Sequence, residues 1–338
     1  MKARYSRNRQ VFLIVAAAAV AVSGWVAFAI TVMHDPTSGQ NVTEVREGGW
    51  ALISPLLECT ASSPLGGERR KLLEQSLESV VRSRVTAGSA THISLYFRDL
   101  NNGPWIGINE DEKFAPGSML KVPVMMAYYH AAEKDPTILQ KEIEFQPYTP
   151  PDGSLVSQEV DSSGQLVRGR KYTVESLIAN MIIYSDNNAT ALLWDFIDQE
   201  KKDRAYRDLG LTVPVITDWM SNVISVRDYA TFMRVLYNAS YLGREYSSHA
   251  LDLLTKTSFR DGLVAGLPVG TKVAHKFGIR FKEGTTAMQL HDCGIVYAPD
   301  RPFLLCVMTK GHSLQQQGET IAEITRVVYD SVAGERRR

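Results

Sequence analysis

Ser118 and Lys121 are separated by two residues, a spacing that can support nucleophilic chemistry. Helical sequence begins here, and residues three apart on a helix lie on one face, so the amine can reach the hydroxyl. A serine hydroxyl is a weak nucleophile until a base accepts its proton, and a lysine serves as that base when its pKa falls. Taken alone, this spacing is weak evidence, because it more often reflects an ordinary helix cap followed by a solvated lysine.

Two further polar clusters follow along the chain. Ser185, Asp186 and Asn187 stand at the junction of two predicted helices. They can form a capping turn, or they can supply a hydroxyl relay and an amide that holds substrate. Lys276 and Gly278 lie in a predicted strand. A strand lysine is usually exposed to solvent, whereas a glycine in a strand lets a ligand or another backbone approach closely.

In this order the clusters resemble the signature of class A β-lactamases and penicillin-binding proteins, which is Ser-x-x-Lys, Ser-Asp-Asn and Lys-Thr-Gly. The resemblance covers roughly residues 68–332 and includes Phe114, four residues before the serine, and the terminal strand that leads to Lys310. It implies a penicillin-recognising serine hydrolase, here a divergent member.

The resemblance implies a catalytic role for three of the matching residues. Ser118 attacks a strained lactam or a D-alanyl amide carbonyl and forms an acyl-enzyme. Lys121 accepts the serine proton, and Ser185 passes a proton to the departing nitrogen.

It also implies which residues bind the substrate. Asn187 holds the substrate and the lysine, and Lys276 binds the substrate carboxylate. Gly278 lets the substrate approach the strand. The oxyanion rests on the backbone N–H groups of Ser118 and Ile279.

Two departures from the family pattern bear on turnover. Phe277 replaces the usual Thr or Ser of the third motif, so one hydroxyl contact to the substrate carboxylate is missing. The candidate for the water-activating carboxylate is Asp218, with Asn222 four residues later, in a loop that is short for the family. Asp218 is otherwise a turn residue. Without a carboxylate that activates water, the acyl-enzyme forms but clears slowly.

Three functions therefore remain open at this point. The leading one is hydrolysis of β-lactam amide bonds. The second is a D-alanyl-D-alanine carboxypeptidase or transpeptidase that acts on peptidoglycan. The third is a non-catalytic module that binds penicillin or the cell wall. None of the three requires a cofactor.

Strand patterns at both ends of the body enclose a helical middle. Alternating or apolar runs predict strands, and apolar residues at helical spacing predict helices. The strands are predicted at 92–98, 105–108, 274–281, 286–297 and 302–309, and the helices at 72–81, 118–130, 174–184, 188–199, 226–239, 247–255 and 319–332. This order predicts an α+β fold in which one antiparallel sheet from the first and last thirds packs against the helical middle.

Composition excludes several classes of protein. Lysine plus arginine and aspartate plus glutamate each number 37, so the net charge gives no reason to expect a nucleic-acid partner. The three cysteines and the scattered histidines have no metal-ligand spacing, and we predict no metal site. Cys293 and Cys306 lie on adjacent predicted strands, where a disulfide depends on a register that the sequence leaves open.

The amino-terminal region predicts a membrane anchor. The 23 residues from 11 to 33 carry no charge, enough apolar length for a transmembrane helix, and basic residues precede them. The positive-inside rule places the amino terminus in the cytoplasm and the remainder outside the membrane. A cleaved signal peptide is the alternative. The predicted segments are a cytoplasmic tail (1–10), the anchor (11–33), a linker with a docking segment at 50–57 (34–67) and the hydrolase domain (68–334).

Overall fold

The computed structural model describes residues 41–46, 49–62, 67–101, 105–146, 166–215, 220–281, 284–299 and 301–333. The chain divides into two units, residues 1–41 with 61–65 and residues 42–60 with 66–338. All the elements that form the site belong to the second unit. In the described ranges no helix is long and apolar enough to cross a membrane. The predicted anchor, 11–33, lies outside those ranges.

Strands and short helices alternate along the described chain. The strands are β1 (Asn41–Arg46), β2 (Leu56–Ser62), β3 (His92–Asp99), β4 (Trp105–Ile108), β5 (Lys113–Phe114), β6 (Glu142–Glu144), β7 (Lys171–Thr173), β8 (Ile224–Ser225), β9 (Val273–Phe281), β10 (Met288–Val296) and β11 (Phe303–Gly311). The α-helices are α1 (Gly67–Thr86), α2 (Lys121–Ala132), α3 (Val174–Ile183), α4 (Asn187–Phe196), α5 (Gln199–Asp208), α6 (Val226–Tyr237), α7 (Arg244–Thr255) and α8 (Leu314–Ala333). Single turns of 3₁₀-helix cover Gly117–Leu120, Pro136–Gln140 and Leu263–Gly266.

One five-stranded antiparallel sheet organises the domain, in the order β4-β3-β11-β10-β9. Its strands come from the first and last thirds of the chain, so the predicted α+β arrangement is confirmed. Two-stranded pairs join β1 to β2, β5 to β8 and β6 to β7. The β5–β8 pair matters for the site, because β5 leads directly to Ser118.

The sheet is covered on both faces, and alternation along each strand divides its side chains between two cores. On one face, β-strand residues such as Leu95 and Val307 pack with Leu77 of α1 and Ile324 of α8. The other face packs against the helical middle, above all α6. This double cover explains why β10 and β11 are almost continuously buried.

The helices of the middle begin at side-chain caps. Thr173 caps α3 by accepting the Ser176 N–H at 3.2 Å, and Ser225 caps α6 by accepting the Asp228 N–H at 3.1 Å. Such caps satisfy backbone donors that have no partner within the helix. The sequence prediction missed α5, a highly charged helix, and started α8 five residues late.

The segment before α1 is fastened to the domain. Leu52 and Ile53 are buried in the core, and the Ser54 N–H donates to the Tyr237 carbonyl at 2.7 Å. The Tyr297 hydroxyl donates to the Leu52 carbonyl at 2.8 Å. The apolar residues around position 52 therefore dock onto the end of α6, as the sequence suggested.

Cys293 and Cys306 are directly opposite each other in the β10–β11 register and form a disulfide. The bond closes a loop with a sequence separation of 13 residues. The register that the sequence left open is thus the one that permits the bond.

Candidate active site

Ser118 lies in a tight turn between β5 and α2. Gly117 begins the turn with a φ of +56°, a conformation that side-chain-bearing residues rarely adopt. A Cβ atom at this position would also lie 2.7 Å from the carbonyl oxygen of Ile279. Glycine is therefore required both by the turn and by the strand that it contacts. Ser118 itself is 7% exposed.

Gly278 allows β9 to approach this turn. A Cβ atom on Gly278 would lie 2.2 Å from the Pro116 carbonyl oxygen and 2.8 Å from the side chain of Met119. The glycine of the third motif thus serves a backbone contact, and this contact sets the Ile279 peptide beside the residue that precedes Ser118. This arrangement is compatible with an oxyanion site between the two backbones, which stays a prediction.

Lys121 is the first residue of α2, and its side chain is enclosed by the second motif. Its ammonium nitrogen donates to the Ser185 carbonyl at 2.5 Å, the Ser185 hydroxyl at 3.0 Å and the Asn187 amide oxygen at 2.8 Å. Since the residue is only 2% exposed, water contributes little to its solvation. The side chain is held by three oxygen atoms one turn along from Ser118.

The environment of Lys121 lowers the pKa of its amine well below the usual lysine value. Burial is the largest cause, because it penalises the charged form, and the neighbouring charge of Lys276 adds to it. Asp186 opposes the shift, and Arg280 reinforces it. A lysine with a lowered pKa can exist as the neutral amine, the form that accepts a proton.

Ser185 stands between the two lysines. Its backbone has a φ of +55°, which is unusual for a residue with a side chain and marks a held conformation. Its hydroxyl lies 3.0 Å from the Lys121 nitrogen and 2.9 Å from the Lys276 nitrogen. Asp186 next to it caps α4 by accepting the Ala189 N–H at 2.9 Å. The second motif is therefore both a cap and a bridge between the lysines.

Lys276 comes from β9, the strand at the edge of the sheet, and is fully buried. Burial lowers the pKa of its amine to about 7, although the carboxylate of Asp292 favours the charged form. The ring of Phe277 lies 4.1 Å from the Lys276 nitrogen and stacks on Phe259 at 4.3 Å between ring centres. Phe277 thus covers the ammonium that the resemblance assigned to a substrate carboxylate.

Asp218 falls outside the described residues. Asn222 is described: its amide oxygen accepts a hydrogen bond from Gln289 at 3.2 Å. Asp218 is the only carboxylate that the sequence places between the end of α5 and β8. Within the described ranges, no cluster of three His, Cys, Asp or Glu side chains could hold a metal ion.

Several residues that touch the nucleophile turn were not singled out from the sequence. Tyr229 of α6 donates to the Met119 carbonyl at 3.0 Å, and Gln289 and His291 of β10 both hold Ala115. No motif or local spacing marks these residues in the sequence, because each lies more than a hundred positions from its partner. Only the folded sheet brings them to the turn.

A cavity of about 180 Å³ lies beside α2. Its lining includes Leu120, Pro123, Trp194 and Tyr206, and it contains neither of the lysines nor any of the serines described above. The predicted catalytic residues Ser118, Lys121 and Ser185 therefore do not line this cavity.

The fold and the cluster together define a serine hydrolase of the penicillin-recognising class. A profile of the β-lactamase enzyme family matches residues 73–332, and the chain belongs to this family. No curated protein matches the sequence.

Solved structures agree with this assignment. PBP-A is 25% identical with a TM-score of 0.64, and the match covers 78% of this chain and 96% of PBP-A. A PBP-A mutant in an acyl-enzyme complex with penicillin G is 24% identical, with a TM-score of 0.65 and coverage of 79% and 97%. A class A β-lactamase from Mycobacterium abscessus is 22% identical, with a TM-score of 0.64 and coverage of 77% and 99%.

Proposed function

We propose that the protein is a class A-type serine hydrolase that forms an acyl-enzyme on Ser118 and hydrolyses β-lactam amide bonds. One observation carries the proposal: a buried hydrogen-bonded chain runs from Lys121 through the Ser185 hydroxyl to Lys276, one helical turn from Ser118. Two lysines beside one hydroxyl in a buried position are costly to keep, which favours a chemical role over a structural one.

Acylation starts at Ser118. The neutral amine of Lys121 accepts the serine proton as the oxygen attacks the carbonyl carbon. Negative charge then develops on the former carbonyl oxygen, and the N–H groups of Ser118 and Ile279 stabilise it. The close contact of Gly117 with the Ile279 backbone supports this pairing.

The leaving nitrogen needs a proton when the amide bond breaks. Ser185 supplies it from its hydroxyl and is reprotonated by Lys121, which carries the proton taken from Ser118. Lys276 hydrogen-bonds the Ser185 hydroxyl, and Asn187 fixes Lys121 for the transfer. In this proposal the substrate carboxylate pairs with Lys276 once the Phe277 ring moves aside, because that ring covers the ammonium.

Hydrolysis of the acyl-enzyme requires an activated water. We propose Asp218 for this task, because no other carboxylate lies between α5 and β8. Aspartate is shorter than glutamate, and the loop is short, so we expect slow deacylation. Slow release also favours the second candidate, a D-alanyl-D-alanine peptidase on peptidoglycan, and the covering of Lys276 by Phe277 points the same way.

We also propose that residues 11–33 anchor the chain in the cell membrane as a single span, with residues 1–10 in the cytoplasm and the hydrolase outside. The uncharged run and the basic residues before it support this placement, and the Cys293–Cys306 disulfide is consistent with it. Protease treatment of intact cells tests it: the hydrolase domain should be digested, whereas a tag on residue 1 should be protected.

Labelling with a fluorescent penicillin tests the reaction. The full-length chain in detergent should acquire a covalent label that Ser118→Ala lacks, and a chromogenic lactam should be hydrolysed at a measurable rate. Lys121→Arg is the matched variant, since it keeps a long basic side chain but replaces the amine with a guanidinium that cannot give up its proton. It should acylate at least about a hundredfold more slowly.

The outcomes separate the three functions. Rapid loss of label with lactam hydrolysis supports the lactamase, and a persistent label supports the peptidase. Absence of any label on the folded wild-type chain would leave only the non-catalytic binding module.

A further inference from the structure

A hydrogen-bonded clamp from β10 holds the backbone of Ala115, three residues before Ser118. The Ala115 N–H donates to the Gln289 side-chain oxygen at 3.0 Å, and the Ala115 carbonyl lies 3.0 Å from the His291 Nε2 atom. Gln289 is 3% exposed and His291 is fully buried. The backbone N–H and C=O groups of Ala115 are therefore both fixed by side chains of β10.

The chemistry of these two side chains is determined by their partners. The Ala115 N–H can only donate, so the Gln289 atom that faces it is the oxygen, and the amide nitrogen faces Asn222 at 3.2 Å. The Thr309 N–H faces the His291 Nδ1 atom at 3.3 Å, so the proton of the neutral ring is on Nε2 and is donated to Ala115. Burial supports the neutral ring, because it lowers the pKa of His291 to about 4.

The chain between the clamp and Ser118 has little freedom. Pro116 has a fixed φ, here −66°, and its carbonyl packs against Gly278. Gly117 is held against the Ile279 backbone by the contact described above. Displacement of Ala115 is therefore transmitted to Ser118.

We propose that Gln289 and His291 are positioning residues that set the place of the Ser118 N–H and hydroxyl for acylation. Neither touches the substrate or the reacting atoms. The proposal deepens the proposed function, on which its kinetic part rests. Gln289 also donates a hydrogen bond to Asn222. The same side chain therefore links the segment that follows Asp218 to the segment that precedes Ser118.

Gln289→Met tests the proposal, since it keeps the volume and removes both hydrogen bonds. Stopped-flow acylation by a chromogenic lactam separates the acylation rate constant from the dissociation constant of the initial complex. We expect the rate constant to fall by about tenfold to a hundredfold, with little change in that dissociation constant, because a displaced reacting atom costs rate rather than binding.

Gln317→Met is the matched control. Gln317 is also a fully buried glutamine that fastens β10 and β11, since its oxygen accepts from the Leu290 N–H at 3.0 Å and the Thr309 hydroxyl at 2.8 Å. It lies on the α8 side of the sheet and does not contact Ala115. Its replacement should lower the melting temperature and leave the acylation rate constant within about twofold of wild type.

Amide hydrogen exchange tests the clamp without any turnover. In Gln289→Met, the Ala115 amide should exchange at least about tenfold faster than in wild type, whereas Gln317→Met should leave it protected. Gln289→Glu keeps an oxygen for this amide and should retain most of the protection. If Gln289→Met fails to fold, His291→Leu removes the other half of the clamp and is measured in the same way.

Each outcome decides a separate question. Unchanged exchange at Ala115, or an equal loss of acylation in Gln289→Met and Gln317→Met, overturns the clamp. Absence of labelling in the folded wild type refutes the proposed function, and the exchange result then still decides whether Gln289 holds the segment.

Discussion

Replacing Lys276 with methionine removes a buried ammonium and keeps a side chain of similar length. In the folded protein the pKa of this amine is about 7, whereas an unfolded chain has the ordinary lysine value of 10.5. Between these two values the unfolded chain binds more protons than the folded one. The free energy of unfolding therefore rises with pH across this window, is flat below it and is flat again above it.

The size of the effect follows from the shift. One pKa unit corresponds to about 1.4 kcal/mol, so a single group of this kind contributes a slope of about 1 kcal/mol per pH unit between about pH 8 and pH 10. Lys276→Met lacks this group. It should be more stable than wild type at pH 7, because a buried charge is replaced by an apolar chain, and the difference should shrink as the pH rises.

Urea unfolding of the full-length chain at pH 7, 8, 9 and 10 measures this difference. Gln317→Met is the control, since it loses stability without losing a titratable group, and its curve should run parallel to wild type. Parallel curves for Lys276→Met and wild type would refute the reasoning, as would a difference that widens with pH. The same variant should be labelled by penicillin far more slowly. The two results together would show that Lys276 lowers the stability of the folded protein and is needed for acylation.

Three further changes have defined outcomes. Asp218→Asn should slow deacylation by about a hundredfold and leave acylation unchanged, as measured by the lifetime of the penicillin label. Phe277→Thr should uncover Lys276 and raise acylation by penicillin G about tenfold relative to its methyl ester, because the carboxylate gains a charged hydrogen bond. Replacing both Cys293 and Cys306 with alanine should lower the free energy of unfolding by about 3 kcal/mol, measured in urea, since the bond closes a short loop.

Each of these has a control and an outcome that contradicts it. Asp218→Glu should shorten the lifetime of the label, and an unchanged lifetime in Asp218→Asn removes the residue from the mechanism. For Phe277→Thr, equal gains with penicillin G and its methyl ester would show that the carboxylate is not involved. For the cysteine pair, wild type and variant should become equally stable in reducing agent, and a difference that persists would assign the loss to packing.

The three motifs could be found from the sequence because each is local. Ser118 and Lys121 lie one helical turn apart, and Ser185 and Asn187 flank a single cap residue. Local spacing of this kind fixes which side chains share a face before any tertiary contact forms. The five strands and most helices were predictable for the same reason, since apolar periodicity records which face is buried.

The features that could not be predicted depend on long-range register. The disulfide requires Cys293 to stand opposite Cys306, and a slip of one residue would turn the two side chains to opposite faces. The clamp on Ala115 requires β10 to pass behind the nucleophile turn, 174 residues away in sequence for Gln289. The helix α5 was missed because it is mostly charged and its apolar face is narrow.

The buried cluster around Ser185 lowers the free energy of unfolding of the domain, and this cost bears on what the cluster does. Two lysines are buried within reach of one hydroxyl, and the serine that bears this hydroxyl has a left-handed backbone. Each feature opposes folding, so the rest of the domain must hold them in place. The structure supplies what is needed: Asp186 caps a helix beside them, and the Gly117 and Gly278 contacts fix the turn against β9. A module that only bound its ligand would need no such cluster, and replacing Lys276 alone should make that module more stable. The presence of both lysines and of Ser185 therefore favours a protein that carries out the reaction.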